Sequence, residues 1–240
     1  MPGMAALIIA FVVTVVATAV QGVTGFGMAV ISVPVLALIH PALAPVPQTL
    51  IGMPLVLAMA WRERGSIDRQ GTWWVIAGRF PGALVGLALI SMLDADALAI
   101  AIAIIVLGGV IIVWRGAVIP RNAPTCFATG VVSGTSSLVA SIGGPPLALL
   151  YGSGDGPTMR SSVSSVLAVG LLVTIGVRAA TGNISGAELG VSLILLPAVG
   201  LGLASSTMLV PRVDRAMLRA AILWMSAAAA AGLILKTVVT

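Results

Sequence analysis

Two clusters of glycine and hydroxyl residues supply the chemistry that this sequence can offer to a ligand. The clusters contain Thr24, Gly25 and Gly27 in the first half of the chain, and Ser136, Ser137, Ser141, Gly143 and Gly144 in the second. Hydroxyls and the backbone N–H groups beside glycines are neutral donors, and a helix that starts there adds a partial positive charge. Such donors suit a small anion with several acceptor oxygens. The alternative is that the glycines only allow helices to pack closely, as small residues do in membranes.

Further candidates for ligand binding flank the two clusters. They are Gln21 and Phe26 at the first cluster, Gln48 and Thr49 after it, and Arg160 and Ser161 after the second. Gln21 is predicted to donate a hydrogen bond either to a substrate or to a neighbouring helix. Gln48 follows Pro47, which suits the start of a helix. Arg160 is predicted either to reach the mouth of a cavity or to act as a determinant of topology.

Arg79 lies inside an apolar segment, Thr72–Leu93. A charge within a membrane span is costly and usually faces a cavity or a partner. One interpretation is that Arg79 presents a fixed positive charge to an anion through its planar fork of donors. The other is that its long side chain extends to the membrane surface.

The composition is that of an integral membrane protein. The chain is 59% hydrophobic and only 8% charged, against ~25% charged in soluble domains. The excess of 12 basic over 7 acidic residues lies in short loops, which predicts membrane topology and excludes nucleic acid as a partner. Cys126 and His40 cannot supply a zinc or iron site, so no metal and no cofactor is expected. His40 is predicted to be an interfacial loop residue or, alternatively, a proton-coupling group.

The sequence contains an internal repeat. Gly22 and Pro34 are 12 residues apart, as are Gly134 and Pro146, at a shift of 112. Phe80–Leu87 resembles Leu196–Leu203 at a shift of 116. We therefore predict an all-α fold in one membrane domain, residues 1–240, with repeat 1 at 1–116 and repeat 2 at 117–240. Each repeat is expected to hold a glycine-rich broken-helix hairpin followed by three transmembrane helices.

The arginines choose between two topologies. If each glycine-rich region is a hairpin, the repeats are inverted, and the basic residues divide 9 inside to 2 outside. If each region crosses the membrane once, the repeats are parallel and the division is 7 to 4. The positive-inside rule favours the inverted arrangement, which places Arg160 at the same end as Arg62.

Short motifs along both halves carry a family resemblance. They are Gly22–Pro34, Pro45, Gly52, Arg64–Asp68 and Pro81–Gly86 in the first half, and Ser133-Gly134, Ile142–Pro146 and Arg160–Ser162 in the second. Together they resemble the TauE/SafE family of sulfite and organosulfonate exporters over nearly the whole chain. The glycine runs are sparser here than is usual in that family, at Gly27-Met28-Ala29 and Ser141–Gly144. The resemblance implies transport of small sulfur oxyanions or sulfonates.

The sequence thus predicts a secondary transporter rather than an enzyme. It would move a small sulfur-containing anion outward across a bacterial cytoplasmic membrane by alternating access, with the two hairpin tips at the substrate site. An anion channel and a carrier of another small organic anion are the alternatives. The expected partners are the anion, a coupling proton or cation, and the lipid bilayer, with a homodimer left open.

Overall fold

A computed structural model of the protein describes residues 2–115, 119–151 and 156–209, together with 224, 227–228, 231–232 and 235. The predicted boundary between the repeats at 116 and 117 lies outside those residues, as does most of the last transmembrane helix predicted for repeat 2. So do four of the basic residues in the topology count, namely Arg212, Arg215, Arg219 and Lys236.

The described chain consists of helices and short connections, with no strand in the ranges given above. The helices are α1 Met4–Thr24, α2 Met28–Ile39, α3 Val46–Arg62, α4 Arg69–Met92, α5 Ala95–Arg115, α6 Ala123–Ala140, α7 Gly144–Tyr151, α8 Gly156–Ala180 and α9 Gly186–Leu209. Within the described residues, six helical segments are long and apolar enough to cross a membrane; they contain α1, α3, α4, α5, α8 and α9. The prediction of an all-α fold is confirmed for this part of the chain.

Polar residues fix where the long helices begin. The Asp68 side chain accepts a hydrogen bond from the backbone N–H of Gly71 and starts α4. Asn122 and Thr125 form a reciprocal capping box at the start of α6. These caps satisfy N–H groups that have no carbonyl partner one turn earlier. Helices α4 and α6 therefore start at defined points in the sequence.

Both glycine-rich clusters interrupt a helix, as predicted. Between α1 and α2, Gly25 has φ 93° and Gly27 has φ 120°, a left-handed region that glycine enters without steric penalty. Between α6 and α7, the residue in that region is Ser141, at φ 63°. A helix 36 residues long over Met4–Ile39 would reach about 54 Å, and the break divides it into two pieces.

The helix ends relate the two halves by a shift of 116 rather than 112. The left-handed caps are Gly25 and Ser141, and the next helices begin at Met28 and Gly144; 141 − 25 and 144 − 28 both equal 116. Pro34 lies inside α2, whereas Pro146 lies in the first turn of α7, so these two prolines do not correspond. The spacing of 112 therefore pairs prolines that occupy different places in their helices.

The main contacts join the first half of the chain to the second. The pair α4 and α6 forms the most extensive of these contacts, followed by α1 with α9 and α3 with α8. Glycines make the closest approaches: a Cβ atom at Gly78 would lie 2.1 Å from the Phe127 carbonyl oxygen, and one at Gly202 would lie 2.5 Å from that of Val15. Small residues thus allow backbones to touch where helices cross.

One end of the bundle gathers charged residues. Arg160 of α8 forms an ion pair with Glu63 at the end of α3, with a distance of 2.7 Å between Nε and Oε1. Arg62 also contacts Glu63, at 3.1 Å. Arg121 and Asp68 pair nearby at 3.4 Å, and the Asp68 backbone N–H donates to the Ser162 hydroxyl. Arg160 and Arg62 therefore lie at the same end of the molecule.

Candidate functional site

A small buried cavity of about 40 Å³ lies where the two helix breaks approach each other. That volume holds roughly two or three water-sized groups. The two breaks touch, because a Cβ atom on Gly144 would lie only 2.8 Å from Cβ of Phe26. Eight of the fifteen predicted site residues line the cavity: Gln21, Phe26, Gly27, Gln48, Ser137, Ser141, Gly143 and Gly144.

The first break is stabilised mostly by its own residues. The Oε1 atom of Gln21 accepts a hydrogen bond of 2.9 Å from the N–H of Met28, the first residue of α2. The Thr24 hydroxyl donates to the carbonyl oxygens of Val20 and Phe26, at 3.0 and 2.5 Å. Gln21 keeps its amide NH2 group as a donor at the cavity wall, whereas the Thr24 hydroxyl is already engaged within the break.

The second break is tied to other helices by buried hydroxyls. Ser141 and Thr49 of α3 share a hydrogen bond of 2.7 Å. One residue away, Gln48 accepts from the Ser32 hydroxyl of α2 at 3.0 Å and donates to the Leu43 carbonyl at 3.4 Å. The start of α3 thus holds both breaks, through Ser32 on one side and Ser141 on the other.

Arg79 lies on the far side of the second break and is 1% exposed. Its two terminal nitrogens donate to the hydroxyls of Ser133 and Ser137 on α6, each at 2.7 Å. The guanidinium packs flat against Gly170 of α8, where a Cβ atom would lie 1.8 Å from Nε. The interpretation that Arg79 extends to the membrane surface is therefore wrong, because neighbouring helices enclose the side chain.

Four backbone N–H groups on the cavity wall have no partner among the described residues. Ala29 and Val30 lie in the first turn of α2, between Met28 and Ile31, whose N–H groups are bonded. Gly143 and Gly144 precede and begin α7, and nothing in the described ranges accepts from their N–H groups. Buried N–H groups are almost always paired in proteins. These four N–H groups lie at the starts of α2 and α7, where backbone donors have no carbonyl partner within their own helix.

The other predicted residues surround the cavity without lining it. Thr24 and Gly25 belong to the first break, Thr49 and Arg79 contact the second, and Ser136 bonds to carbonyls of its own helix. Arg160 pairs with Glu63 at the charged end, next to Gly25. Ser161 is fully buried, and its hydroxyl has no partner in the described part of the chain.

The family model for the sulfite exporter TauE/SafE matches residues 10–233. The chain belongs to the TauE/SafE family. As a TauE/SafE member with several membrane-spanning helices, it is a multi-pass membrane protein of a transporter family. A search of curated proteins and a search of solved structures each gave no match.

Sequence reasoning missed part of this TauE/SafE cavity. The missed lining residues are Met28, Ala29, Val30, Gly52, Val56, Ile142, Leu167 and Leu171. Helical spacing contains a signal for some of them, since Gln48, Gly52 and Val56 recur every four residues and share one face of α3. Ser133 was also missed; it lies one helical turn before Ser137, which was found, and the same spacing rule would have identified it.

Proposed function

We propose that this TauE/SafE protein is a secondary transporter that exports small sulfur oxyanions or organosulfonates across the bacterial cytoplasmic membrane. The observation that carries the proposal is the set of four unpaired backbone N–H groups, two from each break, on one buried cavity. A sulfonate or sulfite group has three acceptor oxygens, and it would satisfy these donors. The Arg79 guanidinium donates to the hydroxyl of Ser137, which lines the cavity. It adds the positive charge that an anion needs inside a membrane.

We further propose that the two halves are inverted repeats that expose this cavity to each side in turn. Arg160 lies beside Glu63 and Arg62, at one end of the bundle, as the inverted arrangement requires. The contact between α4 and α6 has a counterpart in α9 with α1 at the shift of 116. An exchange of partners between halves is typical of repeats related by a pseudo-two-fold axis.

A pair of arginines at the same shift gives independent support for the repeat. Arg62, at the end of α3, donates to the carbonyl oxygen of Gly22 in the last turn of α1. Arg178, near the end of α8, donates to the carbonyl oxygen of Leu138 in the last turn of α6. Both differences, 178 − 62 and 138 − 22, equal 116. Each arginine places a cation at the negative end of a broken helix, where it is stabilising.

Flux measurements on purified protein in proteoliposomes test the transport proposal. We expect saturable uptake of sulfite, taurine or sulfoacetate, with counterflow when the same anion is present on the other side. Imposed proton and sodium gradients would identify the coupling ion. Flux that neither saturates nor shows counterflow would indicate a channel, and absence of flux and binding for all sulfur anions would refute the proposed substrate class.

A matched pair of glycine variants connects any flux to the cavity. Gly144→Ala adds a methyl group 2.8 Å from Phe26, so it narrows the junction of the breaks. Gly176→Ala, in α8, adds the same group where no heavy atom lies within 4 Å. We expect the first variant to lose most of its flux and the second to keep it. Equal flux from both variants would remove the cavity from the proposed pathway.

Cysteine labelling tests the inverted topology. In a Cys126→Ala background, cysteines at Arg64 and Asn183 lie at opposite ends of the inverted arrangement, inside and outside respectively. An impermeant maleimide added to intact cells should label Asn183→Cys and spare Arg64→Cys. Labelling of Arg64→Cys from outside would reverse the orientation. Protection of both positions would put them on the same, inner side, as the parallel arrangement requires, and would refute the inverted topology; Asn183 is solvent-accessible and can therefore be labelled from the side it faces.

A further inference from the structure

We infer that the cavity selects oxyanions with one negative charge over those with two, and that Arg79 sets this preference through Ser137. The inference rests on the proposed function, because it concerns the same anion site. It narrows the substrate class to sulfur oxyanions with a single negative charge, such as alkanesulfonates, and it predicts weaker binding of sulfoacetate, whose carboxylate adds a second charge. Four backbone N–H donors alone would not make this distinction, because neutral donors can bind a monovalent or a divalent anion.

The charge of Arg79 has no balancing acid in the described part of the chain. Its two hydrogen-bond partners are neutral hydroxyls, and the ion pairs of the described residues involve only Glu63 and Asp68. The other buried arginine near this break, Arg178, lies within electrostatic reach of Glu188. Arg79 therefore brings one uncompensated positive charge to the edge of the cavity. A guanidinium remains protonated under all conditions that proteins tolerate.

The direction of the hydrogen bonds gives the two serines different roles. Arginine is only a donor, so the hydroxyl oxygens of Ser133 and Ser137 both accept from it. Ser133 passes its own proton to the carbonyl oxygen of Gly143, at 2.7 Å, and so holds the second break in place. Ser137 has no such acceptor within the described residues, and it lines the cavity. Its hydroxyl, polarised by the guanidinium, is the donor that a bound anion would meet.

Charge balance inside the membrane then favours one negative charge. The described residues that line the cavity include no acidic and no basic side chain. A monovalent anion beside Arg79 makes the buried site neutral. A divalent anion leaves a net negative charge in surroundings of low dielectric constant, and burial of an unbalanced charge is strongly unfavourable. The site therefore penalises the second charge rather than the size of the anion.

Methanesulfonate and sulfate provide a matched pair of probes, because both present at least three oxygens on tetrahedral sulfur and differ by one charge. Isothermal titration of the purified full chain should give tighter binding of methanesulfonate by about tenfold or more. Arg79→Lys, which keeps the charge, should keep that preference with weaker affinity. Arg79→Gln should bring the two affinities within about twofold of each other.

Several outcomes of this titration decide between the claims. Equal wild-type affinities, or a preference that survives in Arg79→Gln, would overturn the inference and leave the transport proposal intact. Binding of neither anion to the wild type, with no flux of any sulfur anion, would overturn the proposed function itself. If Arg79→Gln does not fold, Ser137→Ala decides: it should weaken methanesulfonate binding by about tenfold. Unchanged affinity in Ser137→Ala would refute the role given to that hydroxyl.

Discussion

The two helix breaks reach the same cavity by different physical means. The first break uses two glycines with positive φ and bonds within itself, between Gln21 and Met28. The second uses a serine in the left-handed region and is bonded to α3 through Thr49 and to α4 through Ser133 and Arg79. Its supports are buried, and buried hydrogen bonds are costly to break without replacement. The second break is therefore held to its neighbours by more buried hydrogen bonds than the first, whose bonds to α3 are those of Ser32 with Gln48 and of Gly22 with Arg62.

The two arginines that bond to the ends of the broken helices differ in the same way, and removal of Arg178 should have the largest effect on stability. Arg178 is buried, and Arg178→Ala leaves the Leu138 carbonyl without its partner and an empty space beside it. We expect a loss of about 3 kcal/mol from the free energy of unfolding. Arg62→Ala, at the equivalent position, removes a half-exposed side chain and should cost only about 0.5 kcal/mol. Denaturant titration in detergent measures both, and equal losses would refute the asymmetry.

Ser133 is the buried connection between Arg79 and the second break. Ser133→Ala removes an acceptor from a charged donor and a donor from the Gly143 carbonyl, so we expect it to cost about 2 kcal/mol. Ser136→Ala is the matched control, because the Ser136 hydroxyl bonds only to carbonyls of its own helix. That control should change stability by less than about 0.5 kcal/mol. A larger loss in the control than in Ser133→Ala would contradict this assignment.

The residues with positive φ at the two breaks, Gly25 and Ser141, can each be changed toward the residue type of the other break. Gly25→Ala places a side chain at φ 93° and against Arg160, which should cost about 1–2 kcal/mol. Ser141→Gly removes the same kind of strain but also the bond to Thr49, so its two effects should nearly cancel. Thermal melts of the two variants test this difference. Destabilisation of Ser141→Gly as large as that of Gly25→Ala would show that the Thr49 bond dominates.

The ion pair between Glu63 and Arg160 should contribute least to stability. Glu63→Gln removes the charge but keeps the shape, and the side chains are partly exposed, at 12% and 18%. We expect a change of about 0.5 kcal/mol or less, reduced further by salt. Denaturant titration of Glu63→Gln at low and high salt measures this change. A loss as large as that in Ser133→Ala would contradict the ranking.

The sequence predicted the positions of the breaks because two glycine-rich runs recur at matching places inside apolar sequence. It also predicted that Gln21, Gln48 and Ser137 share one site, although that followed from the repeat rather than from any direct contact. The alignment of the two repeats was harder to predict, because Pro34 and Pro146 match by spacing but occupy different places in their helices. The environment of Arg79 could not be predicted, because a single arginine in an apolar segment is equally compatible with the membrane surface. Only the packing of α4, α6 and α8 decides between the two.

The crossing of the halves has a consequence for how the chain is made. Helix α4 packs against α6 and helix α1 against α9, each through glycines that no larger residue could replace without displacing a backbone. The partners, α9 and α6, are translated after α1 and α4. The newly inserted first half therefore stays in the bilayer without these partners. The faces of α1 and α4 that later pack against α9 and α6 are covered meanwhile only by lipid or by the insertion machinery. Separate expression of residues 1–116 should consequently yield a segment that inserts but is rapidly degraded, until residues 117–240 are supplied in the same membrane.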